Sequence, residues 1–293
     1  MKKILICTTF REFNENENAK MQNMFLDSLK SQTYKNFELI VTIFNEKNVE
    51  NELIKSKLPF KTYTNQTSEY RFSLSEVFLN GLKSANENDI IIWTTSDIIY
   101  DKDFLQNIQK KVKKETCAIS YPLTIYNDFN CYMNKSGKIF YDGIDVLMFN
   151  ADIFFKNKEA MDDLNKYKFI NWGMFEFFLI GLGKIYFKKN LIIAPNSIKK
   201  IENNRQINNE SDHYLNASNQ NNKEVFLLFT NKHNLDNNFY EWLLNFKMAS
   251  FNPILKIKNY LKLQNNKNKF LRKIKKIIPK VIKNLIRNIL YNK

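Results

Sequence analysis

Four side chains in this sequence are placed to do chemistry. Asp97 comes just after the apolar run DIIIWT of residues 89–94. A carboxylate there stands at the C-terminal edge of a buried strand, where α/β proteins present groups to a ligand. One Asp and a neutral imidazole can hold a divalent cation, with ligand oxygens and water completing the shell. The chain has 2 histidines, and His213 lies in a polar, Asn-rich stretch. Glu176 is flanked by Phe175, Phe177 and Phe178. Apolar surroundings raise a carboxyl pKa, which suits a general base working near neutrality. Arg11 follows the first apolar run and is placed to meet an anion. Each also has a plainer reading. Asp97 would cap the next turn, His213 would be a solvated loop residue, and Glu176 and Arg11 would lie on the surface.

Those residues need elements to hold them. Residues 3–10 (KILICTTF), 37–44 (FELIVTIF) and 89–94 read as buried strands, with a shorter one at 59–63. Residues 19–31 carry Met21, Met24, Phe25 and Leu29 at helical spacing. Residues 73–84 open with Ser73 and place Glu76 three positions on, a capping box, with Leu74, Val77, Phe78 and Leu82 on one face. Strands alternating with helices predict βαβ units and a mostly parallel sheet. Further on, the pattern predicts a helix over 103–114 with Asp101 and Asp103 capping it, and strands at 117–122 and 138–150. A short helix over 171–182, a strand pair at 184–194, a loop over 201–223 and a helix over 225–245 complete the reading.

Composition narrows the function classes. With 44% hydrophobic and 26% charged residues the chain is an ordinary globular one, not a disordered one. Of its 45 basic residues, 14 follow Glu241, after which no acid occurs, so 31 face the 30 acids of the preceding body. The net charge of +15 therefore belongs to a tail, and nucleic-acid binding by the whole protein is not implied. The 3 cysteines form no CxxC pair, which excludes a zinc ribbon and fits a reducing compartment. No apolar stretch reaches the length of a membrane span, and the opening MKKILIC run ends too early at Arg11 for an export signal. In the tail, eleven apolar residues from Phe270 to Leu290 fall on one helical face, interrupted at Pro279. Lysines and arginines fill the rest. This predicts an amphipathic helix over 265–293 lying on an anionic membrane surface. A partner helix is the second reading. Nucleic acid is the third, and it is disfavoured because aromatics do not interleave with the basic residues.

Two segments carry a family resemblance. SLKSQTYKNFELIV (28–41) resembles the link from first helix to second strand in family 2 glycosyltransferases, and NGLKSANENDIIIWTTSDIIYDKDFL (80–105) resembles the stretch around their DxD motif. Three further pieces resemble, in order, the β-1,4-galactosyltransferase family. Thr9-Phe10-Arg11 stands where that family has a PFR-type loop. Asn171-Trp172-Gly173-Met174-Phe175-Glu176 stands for its GWGxED-type acceptor motif. His213 with Asn219, Asn222 and Phe226 stands for its downstream His motif. Three positions depart from the pattern. The DxD motif reads Thr95-Ser96-Asp97, Ile43 replaces the aspartate that ends strand two, leaving Glu46 as the nearest acid, and Phe175 replaces the first acid of the acceptor motif.

The resemblance implies an α/β, GT-A-like fold, to which the tail's own pattern adds a C-terminal amphipathic helical tail. It implies a nucleotide-sugar-binding half at 1–105, an acceptor-binding half at 106–250 and the tail at 251–293. Thr9, Arg11, Glu46, Ser96 and Asp97 would bind the nucleotide-sugar, Trp172 and Gly173 the acceptor. Asp97 and His213 would hold Mn²⁺ or Mg²⁺, and Glu176 would be the base. The expected activity is inverting transfer of a sugar, galactose or N-acetylhexosamine favoured, from a UDP-sugar to a glycan or lipid-linked glycan. The expected place is the cytoplasmic face of the cell membrane, held peripherally, with no nucleic-acid partner. The missing DxD carboxylate keeps open an alternative, a catalytically inactive module that binds glycans or membranes.

Overall fold

The computed structural model describes residues 2–13, 17–44, 46, 48–65, 73–120, 123–126, 138–139, 145–170, 174–193, 198–202, 209–235 and 247–248. Side chains at 17, 123–126, 138–139, 201–202, 209–220 and 247–248 are outside the description. The first elements are β1 (Ile4–Thr8), α1 (Glu17–Lys30), β2 (Phe37–Ile43), α2 (Val49–Ser56), β3 (Phe60–Thr64), α3 (Leu74–Ser84) and β4 (Ile90–Thr94). There follow β5 (Ile98–Tyr100), α4 (Phe104–Lys111), β6 (Thr116–Ser120), β7 (Leu123–Tyr126), β8 (Lys138–Ile139) and β9 (Val146–Asn150). Next come α5 (Asp152–Lys156), α6 (Lys158–Lys166), α7 (Phe175–Tyr186), β10 (Lys189–Ile192), β11 (Ile198–Glu202), α8 (Asn209–Lys232) and β12 (Lys247–Met248).

One sheet of eight strands runs β12-β10-β6-β9-β4-β1-β2-β3, and a smaller sheet runs β5-β11-β7-β8. In the large sheet every neighbouring pair is parallel except the two made by β9, which is antiparallel to both β4 and β6. This is the mostly parallel α/β sheet expected from the sequence. The two halves expected at 1–105 and 106–250 share this one sheet. Strands β1 and β4 are buried along their whole length, which is why ILICT and IIIWT carry no alternation: helices cover both faces. Asp89 ties their starts together, accepting hydrogen bonds from the Lys3 amide at 3.0 Å and the Asn86 amide at 2.8 Å.

Helix α3 begins as the capping box foretold, with the Ser73 hydroxyl accepting from the Glu76 amide, and it buries Leu74, Val77, Phe78 and Leu82 against the sheet. Its approach is unusually close at Gly81, where an added Cβ would meet Cys7 Sγ of β1 at 2.2 Å. The second half repeats the device: a Cβ on Gly183 of α7 would meet Cys117 Sγ of β6 at 2.6 Å.

Several expectations need correction. Residues 184–194 are not a strand pair: α7 continues to Tyr186 and only Lys189–Ile192 is a strand. The expected strand at 138–150 is two short ones, β8 and β9. The stretch 201–223 is not a loop. It finishes β11 and then enters α8, a helix of 24 residues that includes His213. Low intrinsic propensity is overridden there because the helix is anchored further along, where Asn222, Phe226, Phe229 and Thr230 are buried. Asp103 takes the N-cap position of α4, but its carboxylate makes no capping bond and instead accepts from the Thr33 hydroxyl at 3.1 Å. Helices α2, α5 and α6 carried no signal strong enough to be read. The described residues belong to a compact unit, Met1–Ser250. The amphipathic helix expected at 265–293 lies outside them.

Gly81→Ala should destabilise the fold by about 1–3 kcal/mol through overpacking. Cys7→Ala in the same chain should return most of that loss, because the space claimed by the new methyl is the space the thiol vacates. Urea unfolding of the two single variants and the double gives the coupling. Simple additivity would show that helix and strand do not meet as described.

Candidate functional site

Because β1 and β4 are parallel neighbours, their C-terminal ends emerge at the same edge of the sheet. The two loops that follow them bound an open cleft. Thr9, Phe10 and Arg11 line it after β1, and Thr95, Ser96 and Asp97 after β4. Glu46 reaches it from the end of β2, while Asn18, Met21 and Gln22 of α1 and Leu74 and Val77 of α3 close its sides. So Thr9, Arg11, Glu46, Ser96 and Asp97, five positions singled out in the sequence, share one cleft at the edge where parallel sheets place ligands.

The loop after β1 is fixed by a side chain that sequence reasoning passed over. Gln22, 3% exposed on α1, accepts from the Arg11 amide at 2.7 Å and donates to the Arg11 carbonyl at 3.1 Å. One buried amide thus satisfies both polar groups of one backbone residue. Glu46 accepts from the Phe44 amide at 2.7 Å, which pins it to the end of β2. In the Thr95-Ser96-Asp97 triplet, the Thr95 hydroxyl donates to the Asp97 carboxylate. The residue standing where the resemblance expects an acid therefore orients the acid that remains.

Glu176 arrives from the second half. Phe175, its neighbour at the start of α7, packs edge-on against Trp93 with ring centroids 5.6 Å apart, and Trp93 lines the cleft. The chain leading into α7 is clamped from two sides. Leu74 donates its amide to the Phe169 carbonyl at 3.2 Å, the Ser75 hydroxyl accepts from the Phe169 amide at 3.1 Å, and Ser73 bridges Ile170. From α8, Asn222 accepts from the Ile170 amide at 3.0 Å and donates to its carbonyl at 2.8 Å. Met174 then takes a left-handed conformation, φ 63°, as the N-cap of α7. That costs a non-glycine residue about 1–2 kcal/mol and persists only where the surroundings impose it.

Glu176 is half-buried, and its carboxyl is pushed up to about 7, first by burial and then by the negative charge of Asp145. The Glu176 backbone amide and Lys200 pull it the other way. The direction is the one its phenylalanine neighbours foretold. Asp145 and Lys200 were missed. Asp145 stands just before the buried run VLMFN of β9, as Asp97 stands just after IIIWT of β4. Because β9 is antiparallel, it is the start of that strand that meets the cleft edge, so a search at strand ends alone overlooks it.

The remaining candidates fall outside what the structure describes. Trp172 and Gly173 lie outside the described residues, and His213 is placed by its backbone in α8 with its side chain outside the description. Among the described residues no three His, Cys, Asp or Glu side chains gather as a metal cluster. The other histidine is structural. Asp163 of α6, 1% exposed, receives Tyr186 OH at 2.6 Å, Lys232 Nζ at 2.6 Å and His233 Nε2 at 2.6 Å. This buried charge fastens α8 to α6 and α7, and through α8 supports Asn222.

No protein-family model matches the chain and no curated protein matches it. Solved structures share its general course at low identity. TarS from S. aureus (residues 1–349) is 12% identical over 69% of this chain and 60% of its own, with TM-score 0.48. A mannosyltransferase from Pyrobaculum calidifontis, solved with GDP-Man and Mn²⁺, is 11% identical over 90% of this chain and 81% of its own, TM-score 0.44. GalNAc-T7, solved with UDP, GalNAc and Mn²⁺, is 13% identical over 69% and 44%, TM-score 0.48. All three scores fall below 0.5, a likeness too slight to carry function. The chain spans 60% of the first of these structures.

Gln22→Leu keeps the volume and removes both bonds to Arg11. It should cost about 1–3 kcal/mol, the desolvation penalty of buried groups left unmet, and should speed amide exchange at Arg11 well beyond that of α1. Unchanged exchange at Arg11 would mean that the loop is held by something other than Gln22.

Proposed function

We propose that this chain is a glycosyltransferase that moves a sugar from a UDP-sugar to a glycan or lipid-linked glycan with inversion, galactose or an N-acetylhexosamine being favoured. The observation that carries it is the cleft at the β1/β4 edge. It gathers a cation, Arg11, and a carboxylate oriented by Thr95, Asp97, and its lining Trp93 packs on Phe175, the neighbour of Glu176 on α7.

In the reaction, the acceptor hydroxyl oxygen attacks the anomeric carbon and the bond from that carbon to the diphosphate oxygen breaks. The nucleoside diphosphate leaves with the electron pair, and the hydroxyl proton passes to Glu176. Arg11 and Ser96 would contact the diphosphate, Thr9 and Glu46 the nucleoside side, and Trp172 and Gly173 the acceptor. Asp97 suits a Mn²⁺ or Mg²⁺ ion of the kind bound through one or two carboxylates with phosphates and water, and His213 is the proposed second protein ligand. Such an ion stabilises charge growing on the leaving diphosphate.

A carboxyl with a raised pKa is protonated, and useless as a base, below that value. Turnover should therefore rise with pH through about 7. The sign for folding is the opposite. The folded chain holds this proton between the ordinary 4.5 and about 7 where the unfolded chain has lost it, so Glu176 makes the fold less stable as pH rises across that window.

The test is transfer or hydrolysis of UDP-sugars with and without Mn²⁺. Glu176→Gln should lower turnover roughly 10²–10⁴-fold and remove the rise near pH 7, while leaving nucleotide-sugar binding by thermal shift in place. Binding without any turnover in the parent chain would favour the inactive module instead.

The basic stripe over 265–293 is proposed to hold the enzyme peripherally on the cytoplasmic face of an anionic membrane, each basic group adding about 1 kcal/mol of salt-screened attraction. A chain ending near Asn265 should fail to sediment with anionic vesicles and still act on a soluble acceptor. Equal sedimentation of both forms would overturn the anchor.

A further inference from the structure

The ion pair between Lys200 and Asp145, Nζ to Oδ1 3.0 Å, sits at the junction of the two sheets. Its side chains are only 21% and 11% exposed. Val146 pairs with Thr94, so Asp145 stands one step beyond that pair, toward Thr95. Lys200 of β11 pairs with Ile98, the residue after Asp97. The two charges are thus fixed by strand register on either side of the 94–98 segment that bounds the cleft. An ion pair withdrawn from water contributes little net stability, since desolvation offsets the attraction. Its position calls for a role other than holding the sheets together.

We propose that Asp145 and Lys200 are positioning residues for Glu176, a pair of opposite charges held by two sheets that sets the electrostatic surroundings in which Glu176 takes up and releases its proton. The inference rests on the reading of Glu176 as the base that deprotonates the acceptor. The start of α7 is brought to this junction independently, through Phe175 on Trp93 and through the clamp on Ile170. Of the pair, Asp145 favours the protonated form of Glu176 and Lys200 the ionised form. Asp145 is not itself the base, because its carboxylate is engaged by Lys200.

Among the described residues, Lys223 and Glu224 of α8 are exposed to solvent, and the other titratable groups on elements packed against α7 are occupied elsewhere. Cys117 of β6 lies under Gly183, more than a turn along the helix. Lys232, at the end of α8, is bound to Asp163 and Glu159. Held together, the two charges oppose each other at Glu176. Removing either leaves the other to act.

The test uses the full chain with Asp145→Asn, Lys200→Gln and the double variant. Each is read by the pH profile of UDP-sugar turnover and by infrared titration of the Glu176 carboxylate, its band identified by loss in Glu176→Gln. Asp145→Asn should move the midpoint down and Lys200→Gln should move it up, each by about one pH unit, and the double variant should return it toward the parent value. A purely structural pair would lower turnover at every pH and leave the midpoints in place, which overturns the proposal. Melting temperatures identify a variant that fails to fold, and the direction given by the remaining one then decides. Opposed infrared shifts in a chain with no turnover would overturn the base reading while leaving the electrostatic pairing standing.

Discussion

The direction of β9 organises the molecule. Seven strands of the large sheet are joined by parallel pairings, and this one runs against its neighbours β4 and β6. Parallel strands deliver their C-termini to one edge, so β1 and β4 bring Arg11 and Asp97 to the same cleft. Reversal of a single strand brings a strand start to that edge as well, and with it Asp145. The site can therefore draw on residues before a strand and after a strand, from segments about 50 positions apart in the chain. A strand of ordinary direction at that position would carry Asn150, not Asp145, to the cleft.

Most of the first hundred residues were readable because their elements, α2 and β5 excepted, declare themselves locally. β1, β2 and β4 are continuous apolar runs, and α3 has a capping box followed by a one-sided apolar face. Five of the singled-out residues reach the cleft because strand ends are where the sequence invites a search. The later part hid its structure for physical reasons. The Asn-rich start of α8 has no amphipathic signal, since that helix is secured by contacts of its second half. The end of α7 and β10 are two short apolar runs, 185–187 and 191–193, separated only by Lys188-Lys189-Asn190, so the pair reads as a hairpin. Asp145 and Lys200 were invisible because their significance depends on which way a strand runs, and no local pattern records direction.

Buried amides do for this site what a metal or a disulfide does elsewhere. Gln22 on α1 and Asn222 on α8 each grip both polar groups of one loop residue, Arg11 and Ile170. Each side chain imitates a strand partner, offering one donor and one acceptor in the plane of a peptide. The chains bearing Arg11 and Glu176 are in this way fixed to helices and not to the sheet edge alone. A single polar residue interrupting an apolar helical face is the sequence trace of such a grip, and Gln22, between Met21 and Phe25, shows it. Asn80 follows the same rule within α3, donating to the Thr42 hydroxyl at 3.0 Å.

Glycine set against cysteine at Gly81–Cys7 and Gly183–Cys117 carries a consequence for the chemistry of the thiols. Each sulfur is roofed by bare helix backbone, fully buried, and held by that burial well above its ordinary pKa. Neither can become the thiolate that oxidants and alkylating reagents attack while its helix stays down. The molecule thus contains a pair of latent chemical reporters, one beneath α3 in the half that forms the cleft floor and one beneath α7 in the half that brings Glu176. Their separate rates of modification would time the lifting of each helix from its strand, so that the breathing of the two halves can be followed independently in a protein that bears no added label.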